Sequence, residues 1–172
     1  MEKRKKGIVL TGVLGLLICL ETVGFAQDDE ETRRTLRGLK EIFLYVEPLD
    51  PQIEKMGLTR NQIQTDTESR LKLAGIHVQA GEDFLRGKGH PYLYVNANIS
   101  VLKTQITRYL FYIRIELNQE VLLVRTPETK VSTVTWSAGG WGIDFGLDNI
   151  RQTVKTQVDK FIDAFLAENP KE

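Results

Sequence analysis

Cysteine is nearly absent from this chain of 172 residues, which has only Cys19. Cys19 lies in an uncharged apolar run, residues 7–20, near the start of the chain. The rest of the chain therefore has no disulfide, no nucleophilic cysteine and no cysteine-ligated metal. Its folded part must be held together by an apolar core.

The chain also has few histidines and no net charge. The two histidines, His77 and His90, have no acid or second histidine at a metal-ligand spacing, so we expect no metal site. The 23 basic residues balance 23 acidic ones, which leaves no basic excess to bind nucleic acid or anionic lipid. No cofactor motif is present, and we expect no cofactor.

Residues 1–26 have the three parts of a secretory signal peptide. Residues 3–6 are basic, residues 7–20 are apolar, and the small residues Gly24 and Ala26 predict cleavage after Ala26. The apolar run is shorter than the ~20 residues of a spanning helix, so we expect no stable membrane span once the leader is removed. A retained anchor is the alternative. We therefore predict export by a bacterium, to the periplasm or out of the cell.

The chain after the leader is predicted to hold a short tail and one domain. Residues 27–36 begin with an acidic stretch that we expect to be a frayed, solvated N-terminal tail. Residues 37–172 have the length of a single α+β domain with a core of its own, and they contain no linker or internal repeat.

The first half of this domain is predicted to form a strand, a helix and a second strand. Residues 42–46 are apolar on both faces, which indicates a buried strand. Residues 58–75 have the signals of a helix, with Thr59 as N-cap and Gln62 reaching back to it. Residues 76–79 form a short strand that completes a crossover unit. Residues 80–90 are then predicted to be a glycine-rich loop.

The second half is predicted to contain an antiparallel meander. Residues 92–101 and 107–117 alternate between apolar and polar side chains, which is typical of strands with one wet face. Residues 120–126 form another strand or continue the same one past a bulge. Residues 127–130 turn the chain, and residues 131–136 return as a strand.

The last element is predicted to be a long amphipathic helix. Residues 147–167 carry a broad apolar stripe, and Asp148 is a plausible N-cap. The order β-α-β-β-β-β-α predicts an α+β two-layer sandwich. Its mostly antiparallel, twisted sheet buries one face under two helices and leaves the other face wet.

A glycine-rich stretch, residues 138–146, is the first candidate site. We predict a loop that links a strand to the last helix and presents Trp141 and Phe145 for recognition. The glycine spacing matches neither a dinucleotide fingerprint nor a phosphate-binding loop. The alternative is a purely structural loop that needs positive φ at several glycines.

The wet face of the meander is the second candidate site. Tyrosine and arginine are enriched at interfaces, and we expect this face to contact a partner or ligand. The alternative is that tyrosine occurs here only as a good strand former. The candidate contact residues are Tyr92, Tyr94, Tyr112, Arg108 and Arg114.

Catalytic residues are not indicated clearly. Glu47 and Asp50 flank Pro48, while Glu82 and Asp83 lie in the loop that precedes His90, but the spacing does not pair them. Surface charge is the simpler explanation for these carboxylates. Enzymatic activity is therefore not predicted, and a small carboxylate-dependent hydrolase is kept as an alternative.

The chain after the leader resembles a group of small exported bacterial proteins of unknown function. The resemblance rests on the segments LRGLKEIFLYVEPLD, GLTRNQIQTDTESRLKLAGI, PYLYVNANI, VLLVRT, TWSAGGWG and VDKFIDAFLAENP. The topology is also loosely similar to the N-terminal α+β domain of periplasmic TolB-like proteins. Neither resemblance implies a mechanism, because fold-level analogy does not carry function.

These observations favour a non-enzymatic, exported binding or envelope-accessory domain whose partner is an unidentified envelope protein or ligand. A hydrolase would need a concave pocket where acids and His90 converge. A third possibility is an assembly subunit that pairs through an edge strand. The sequence leaves the oligomeric state open.

Overall fold

A computed structural model of the chain describes residues 23–79, 90–103 and 105–170. The described part contains six strands and four helices. In chain order they are β1 (Val23–Gln27), α1 (Glu30–Arg34), β2 (Glu41–Val46), α2 (Pro51–Lys55), α3 (Arg60–Leu73), β3 (His77–Gln79), β4 (Tyr92–Leu102), β5 (Arg108–Leu123), β6 (Thr126–Asp144) and α4 (Leu147–Glu168).

The strands form one sheet in the order β1-β6-β5-β4-β2-β3. β2 pairs in parallel with both β3 and β4, and the other pairs are antiparallel. The predicted α+β class and its mostly antiparallel sheet are confirmed. β2 lies between two neighbours, as its apolar residues on both faces indicated.

The core lies between one face of the sheet and the helices. α4 contacts β5 and β6, while α3 contacts β2 and β3. The two long helices are also joined to each other, since Arg151 Nε donates to Asp66 Oδ2 over 2.6 Å. The alternating residues of the strands supply the core from the sheet side: Ile42, Leu44, Val46, Leu93, Val95, Ile99, Tyr109, Phe111, Ile113, Ile115, Leu117, Trp136 and Ala138.

The predicted start of α3 is confirmed in detail. Thr59 Oγ1 accepts from the Gln62 backbone N–H at 3.2 Å, and the Thr59 N–H donates to Gln62 Oε1 at 2.9 Å. This is a capping box, which satisfies two N–H groups at the helix terminus. The helix ends at Leu73 with Ala74 as its C-cap, and the next residue is Gly75, whose φ of 81° is easy only for glycine.

The start of α4 differs from the prediction. Gly146 is the N-cap and makes no side-chain capping bond, while Asp148 lies in the first turn of the helix. An acidic side chain in the first turn is favourable near the positive end of the helix dipole. Asp148 therefore has a stabilising position, although it does not cap.

β5 resolves the alternative left open for residues 120–126. It runs without interruption from Arg108 to Leu123, and its pairing with β6 shifts register between Leu117 and Asn118. The two predicted segments are one strand with an irregularity at the predicted place.

The predicted turn at residues 127–130 is wrong. The chain turns at Val124 and Arg125, because Leu123 pairs with Thr126, and Pro127 lies inside β6. A second register shift, between Leu122 and Leu123, lies opposite this part of β6. Proline is tolerated there because an irregular edge position does not demand its missing N–H.

Two short elements near the start were not predicted. α2 begins at Pro51, where the absence of an N–H costs nothing, and Asp50 Oδ1 accepts from the Gln52 N–H at 2.7 Å. β1 pairs antiparallel with β6, Val23 opposite Trp141 and Gln27 opposite Ser137.

The predicted loop at residues 80–90 lies outside the described residues except for His90.

The expected frayed acidic tail is not what the structure shows. Residues 30–34 form α1, which is capped by Asp29 and Thr32 in a reciprocal capping box. α1 packs against α4 and β6. The acidic side chains of this segment thus begin an ordered helix.

Asp28 ties this N-terminal segment to the core. Its Oδ1 accepts from Arg33 Nε at 2.6 Å and from Trp136 Nε1 at 2.8 Å, and its Oδ2 accepts from Arg33 Nη2 at 2.8 Å. Trp136 is fully buried, with its ring 5.3 Å from that of Phe161. The hydrogen bonds from Arg33, with a smaller contribution from Trp136, hold the pKa of Asp28 below its usual value.

We expect Asp28→Asn to destabilise the protein by about 1.5–3 kcal/mol at pH 7, the range for hydrogen bonds to a charged group. Because the pKa of Asp28 is lower in the folded state, its contribution is present above the unfolded pKa of about 4. It is lost as the pH falls through the folded pKa. Urea unfolding at a series of pH values, followed by tryptophan fluorescence, measures this difference.

Glu31→Gln is the matched control, since it removes one negative charge from an exposed position in α1, close to Asp28 along the chain. Equal stability loss in the two variants at pH 7, or a loss in Asp28→Asn that persists unchanged below pH 3, would contradict the role of Asp28.

Candidate binding surface

None of the described helices packs on one face of the sheet. The described helices contact the core face, and the opposite side carries the polar half of each alternating strand. We call this side the open face. In register across the strands it holds Tyr45 beside Tyr94, Asn96 beside Arg114, Asn98 beside Tyr112, and Tyr112 beside Trp141.

A row of arginines and tyrosines crosses the open face. The rings of Tyr45 and Tyr94 stack with centroids 6.1 Å apart. The Arg60 guanidinium lies 5.8 Å from the Tyr45 ring, and that of Arg114 lies 5.6 Å from Tyr94 and 5.8 Å from Tyr112. Such cation–π contacts fix the orientation of flat groups on a surface. We call this row the arginine–tyrosine stack.

Glu47 holds Tyr94, the middle member of the stack. Its Oε2 accepts hydrogen bonds from the Tyr94 hydroxyl and from Asn96 Nδ2. Burial, together with the hydrogen bond to the Glu47 carboxylate, raises the pKa of Tyr94 to about 12. The phenol therefore stays protonated and held in place throughout the physiological pH range.

Arg114 lies between Tyr94 and Tyr112 in the stack, and one of its hydrogen-bond donors is available to a ligand. Its Nη1 is 3.3 Å from Glu116 Oε1. In the part of the chain that the structure describes, the buried Arg114 Nε has no hydrogen-bond partner. A buried donor left without an acceptor costs free energy, so water or an acceptor on a ligand would be favoured there.

An apolar patch adjoins the stack on β5 and β6. Leu110, Tyr112 and Trp141 are 39%, 41% and 47% exposed, which is high for large apolar side chains on the middle of a sheet. Leu110 pairs with Ile143, and Tyr112 pairs with Trp141, so these side chains are neighbours. We define these four residues as the apolar patch.

The predicted glycine loop is wrong. Residues 138–144 belong to β6, and Gly139, Gly140 and Gly142 are buried. Within the described ranges, positive φ occurs only at Gly38, Gly57 and Gly75. Trp141 is thus presented by a paired strand and not by a flexible tip.

Close packing explains these glycines better than turn geometry does. Gly140 pairs with the core residue Ile113, and Gly142 pairs with the core residue Phe111, so both occupy core-facing positions of β6. α4 packs against this strand. A position without a side chain lets a helix approach the sheet closely.

Phe145 lies just beyond β6 and is 54% exposed. The Arg108 guanidinium lies 5.4 Å from its ring, which brings two of the predicted contact residues together. The structure therefore places Trp141, Tyr112, Tyr94 and Arg114 in one continuous surface. It pairs Arg108 with Phe145 at the end of that surface.

Two members of this surface were missed in the sequence. The sequence predicts a buried strand around Tyr45, yet the ring is half-exposed and stacks on Tyr94. Arg60 lies at the start of α3 and reaches the sheet, where its Nε donates to the Val46 carbonyl oxygen at 2.6 Å. No local pattern points to this contact, because it joins two separate elements.

The residues considered for catalysis do not converge. His77 and His90 are exposed, and the His90 ring lies against Phe43 at 5.5 Å. Glu47 and Asp50 line one shallow groove beside Asn96, but Glu47 holds Tyr94 and Asp50 caps α2. Glu82 and Asp83 lie outside the described residues.

Residues 23–79, 90–103 and 105–170 contain no group of three or more His, Cys, Asp or Glu side chains that could hold a metal ion. In those same ranges, no helix has both the length and the apolar character needed to cross a membrane.

Comparisons with known proteins place the chain in no family. No family model matches it, and no curated protein matches it. Among solved structures, a PelC dodecamer from Paraburkholderia phytofirmans is 12% identical, covers 73% of this chain and 87% of its own, and has a TM-score of 0.43. A minor lipoprotein from Acinetobacter baumannii is 12% identical, covers 76% and 94%, and has a TM-score of 0.33.

These likenesses carry no argument about function at such identities and TM-scores. They also give no support to the expected similarity to TolB-like domains. By its fold, the described part of the protein is an α+β sandwich with one helix-covered face and one open face.

We expect the Tyr94 phenol to titrate near pH 12, well above an ordinary tyrosine at about 10. Glu47→Gln should lower this pKa without restoring the ordinary value, because the burial remains. The folded state binds this proton more tightly, so the associated stability is present below pH 10 and is lost as the pH rises towards 12. Carbon-13 NMR of labelled tyrosine measures the titration.

Glu116→Gln is the matched control. Glu116 raises the pKa of Tyr92 in addition to the larger effect of burial, and it is not among the causes of the Tyr94 shift. The control should therefore lower the pKa of Tyr92 and shift the pKa of Tyr94 less than Glu47→Gln does, since Glu116 is linked to Tyr94 through Arg114. A wild-type Tyr94 that titrates near 10 would show that Glu47 does not hold it.

Proposed function

We propose that this protein is an exported, non-enzymatic domain that binds an envelope protein through the open face of its sheet. The surface is formed by the apolar patch and the arginine–tyrosine stack. The observation that carries the proposal is the exposure of Leu110, Tyr112 and Trp141 side by side on strands that no described helix covers.

The composition of the surface supports a protein partner. The centres of protein interfaces are enriched in tyrosine, tryptophan and arginine, and these residues supply most of the binding energy. Trp141, Tyr112 and Arg114 are of this kind, and paired strands hold them rigidly. Rigid side chains lose little conformational entropy on binding.

Export is supported by residues 1–26, which have the basic, apolar and small-residue parts of a leader. The absence of cysteine after Cys19 is compatible with a domain that works outside the cytoplasm without disulfides. The periplasm and the cell exterior both fit these features.

The hydrolase alternative is weaker. The two carboxylates that share a groove, Glu47 and Asp50, are both engaged in hydrogen bonds that hold the structure. Neither exposed histidine lines that groove. A general acid–base pair needs free groups within reach of one substrate atom.

We expect the double substitution Tyr112→Ala and Trp141→Ala to reduce partner capture at least about tenfold, since interface aromatics contribute 2 kcal/mol or more when truncated. The assay uses residues 27–172 immobilised on resin, incubated with envelope extract of the host, followed by quantitative mass spectrometry of the retained proteins. Far-UV circular dichroism verifies the fold.

The matched control is Leu122→Ala with Val124→Ala, which removes two exposed apolar side chains at the far end of the β5–β6 hairpin. This control should retain the same partner as the wild type. Equal loss of capture in both double variants, or no loss in either, would contradict the proposed surface.

A further inference from the structure

The second half of β4 has a neighbouring strand on one side only. β4 pairs with β5 over its whole length, from Tyr92 to Leu102, without a bulge. On its other side it pairs with β2 only as far as Val95, because β2 ends at Val46 and Pro48 has no N–H to continue the ladder. In the described part of the chain, residues 97–101 are therefore a free edge of the sheet.

The backbone of this edge faces the path that β2 leaves empty. The Glu47 N–H donates to the Val95 carbonyl oxygen at 2.9 Å, so the backbone groups of Val95 point towards β2. Alternate residues of a strand point their backbone groups the same way, and Ala97, Ile99 and Val101 thus face the same side. Among the described residues, no backbone group pairs with these three from that side.

The free edge lacks the protection that sheet edges usually have. Proline and charged residues discourage the addition of a strand. The free part of β6 next to the β5–β6 turn contains Pro127, Glu128 and Lys130, and the edge strand β3 is only 3 residues long. Residues 97–101 read Ala-Asn-Ile-Ser-Val, with neither proline nor charge. They are therefore open to strand addition.

A groove runs along this edge, between β4 and the segment that follows β2. Its first half is lined by Pro48 and Asp50 on one side and by residues 96–100 on the other. Its second half is lined by Asp50 and Ile53 on one side and by residues 99–101 on the other. The free edge therefore forms one wall of a groove, and residues 47–53 form the other wall.

The groove has an excess of negative charge. Glu47 and Asp50 line it, and Lys103 lies at its far end. Within the described ranges neither carboxylate forms an ion pair, and the hydrogen bonds that they accept come from neutral groups. An occupant with basic side chains is therefore favoured by charge complementarity.

We infer that the free edge of β4 is a docking site for an extended, basic segment of a partner protein, which adds to the sheet as a further strand. Hydrogen bonds to the backbone of Ala97, Ile99 and Val101 would supply the affinity. This inference deepens the proposed function and rests on it in one respect, namely that the partner is a protein.

The docking site is continuous with the open face. Asn98, in the middle of the free edge, pairs with Tyr112, and Tyr112 pairs with Trp141. A strand added beside β4 would place its outward side chains in the same row as the apolar patch. One partner protein can therefore contact both surfaces.

The two walls favour a single segment over a second copy of this chain. A folded edge strand brings its own sheet with it, and residues 47–53 occupy the side on which that second sheet would have to lie. A single extended chain needs only the spacing of one strand, about 4.8 Å.

Backbone NMR of the nitrogen-15-labelled protein, purified after expression of the full chain, tests the site with the capped peptide Lys-Thr-Val-Thr-Val-Thr-Lys as probe. We expect the amide signals of Ala97, Ile99 and Val101 to shift with peptide concentration, because their N–H groups gain acceptors. The same peptide with glutamate in place of both lysines should bind at least about threefold more weakly.

Three results of this titration would overturn the inference. The first is that none of the three amide signals shifts, and the second is that both peptides bind equally well. The third is that the signals shift when the protein concentration alone is raised, which would assign the edge to a second copy of the chain.

Two N-methylated forms of the lysine peptide separate backbone pairing from contact through side chains. One form is methylated at its second, fourth and sixth nitrogens, and the other at its third and fifth. Only one edge of an added strand faces β4, so one form should lose at least about tenfold in affinity and the other much less. Equal affinity of the two forms would overturn strand addition.

Val101→Pro removes one donor from the free edge and keeps the ladder with β5, since the Val101 N–H points away from β5. We expect at least about fivefold weaker binding of the lysine peptide. Val101→Thr keeps both the N–H and the shape and should bind like the wild type. Equal binding by a folded proline variant would contradict the site, and far-UV circular dichroism verifies the fold.

Asp50→Asn tests the charge of the groove without a change in the backbone. Asparagine keeps an oxygen that can accept from the Gln52 N–H and cap α2. The variant should bind the lysine peptide about two- to fivefold more weakly and should not weaken binding of the glutamate peptide. An equal loss for both peptides would contradict the role of charge.

The inference and the proposed function can fail separately. If the lysine peptide does not bind while partner capture still depends on Tyr112 and Trp141, the docking site is refuted and the proposed function stands. If the peptide binds as expected while capture does not depend on these two residues, the proposed open-face function is refuted and the docking site stands.

Discussion

The structure depends on a sheet that packs helices against one face only. The alternating strands place Ile113, Ile115 and their neighbours under α4, and Ile42 and Leu44 on the same buried side. Burial of these side chains supplies the stability of a domain that has no disulfide after Cys19. The side chains of the opposite face take no part in this core cluster, although the same paired strands hold them in place.

Because the core lies on the other side of the sheet, the side chains of the open face can be held rigidly and can still be exchanged for others without loss of the core. Tyr94 is fixed by Glu47 and stacked on Tyr45, while Arg114 spans two tyrosine rings. None of these contacts involves the core, so the face can change without loss of the fold. A binding surface built on strands is held more firmly than one built on loops.

The sequence predicts the strands and long helices well, because their signals are local. Period-two alternation located β4 and most of β5, and the pair Thr59–Gln62 located the start of α3. The same alternation correctly placed Tyr94, Tyr112 and Arg114 on one face. Local patterns fail where the decisive contact is distant: Asp28 orders the supposed tail through Trp136, which is 108 residues away.

The clearest errors in predicting structure from the sequence involve glycine and proline, because each of these residues occurs for more than one structural reason. Gly140 and Gly142 suggested a flexible loop, but they occupy core-facing positions of a strand against which α4 packs. Pro127 suggested a turn, but it lies at a register shift on the outer part of β6. Only the three-dimensional neighbours of such residues distinguish these uses.

The central claim is that the open face contacts an envelope protein in the living cell. A photo-reactive phenylalanine analogue in place of Trp141, activated by light in the host, tests it most directly, with Lys72 on the exposed side of α3 as the control position. The account predicts a discrete cross-linked envelope protein from position 141 and none from position 72. Cross-linking that is absent at position 141, or the same at both positions, would contradict it.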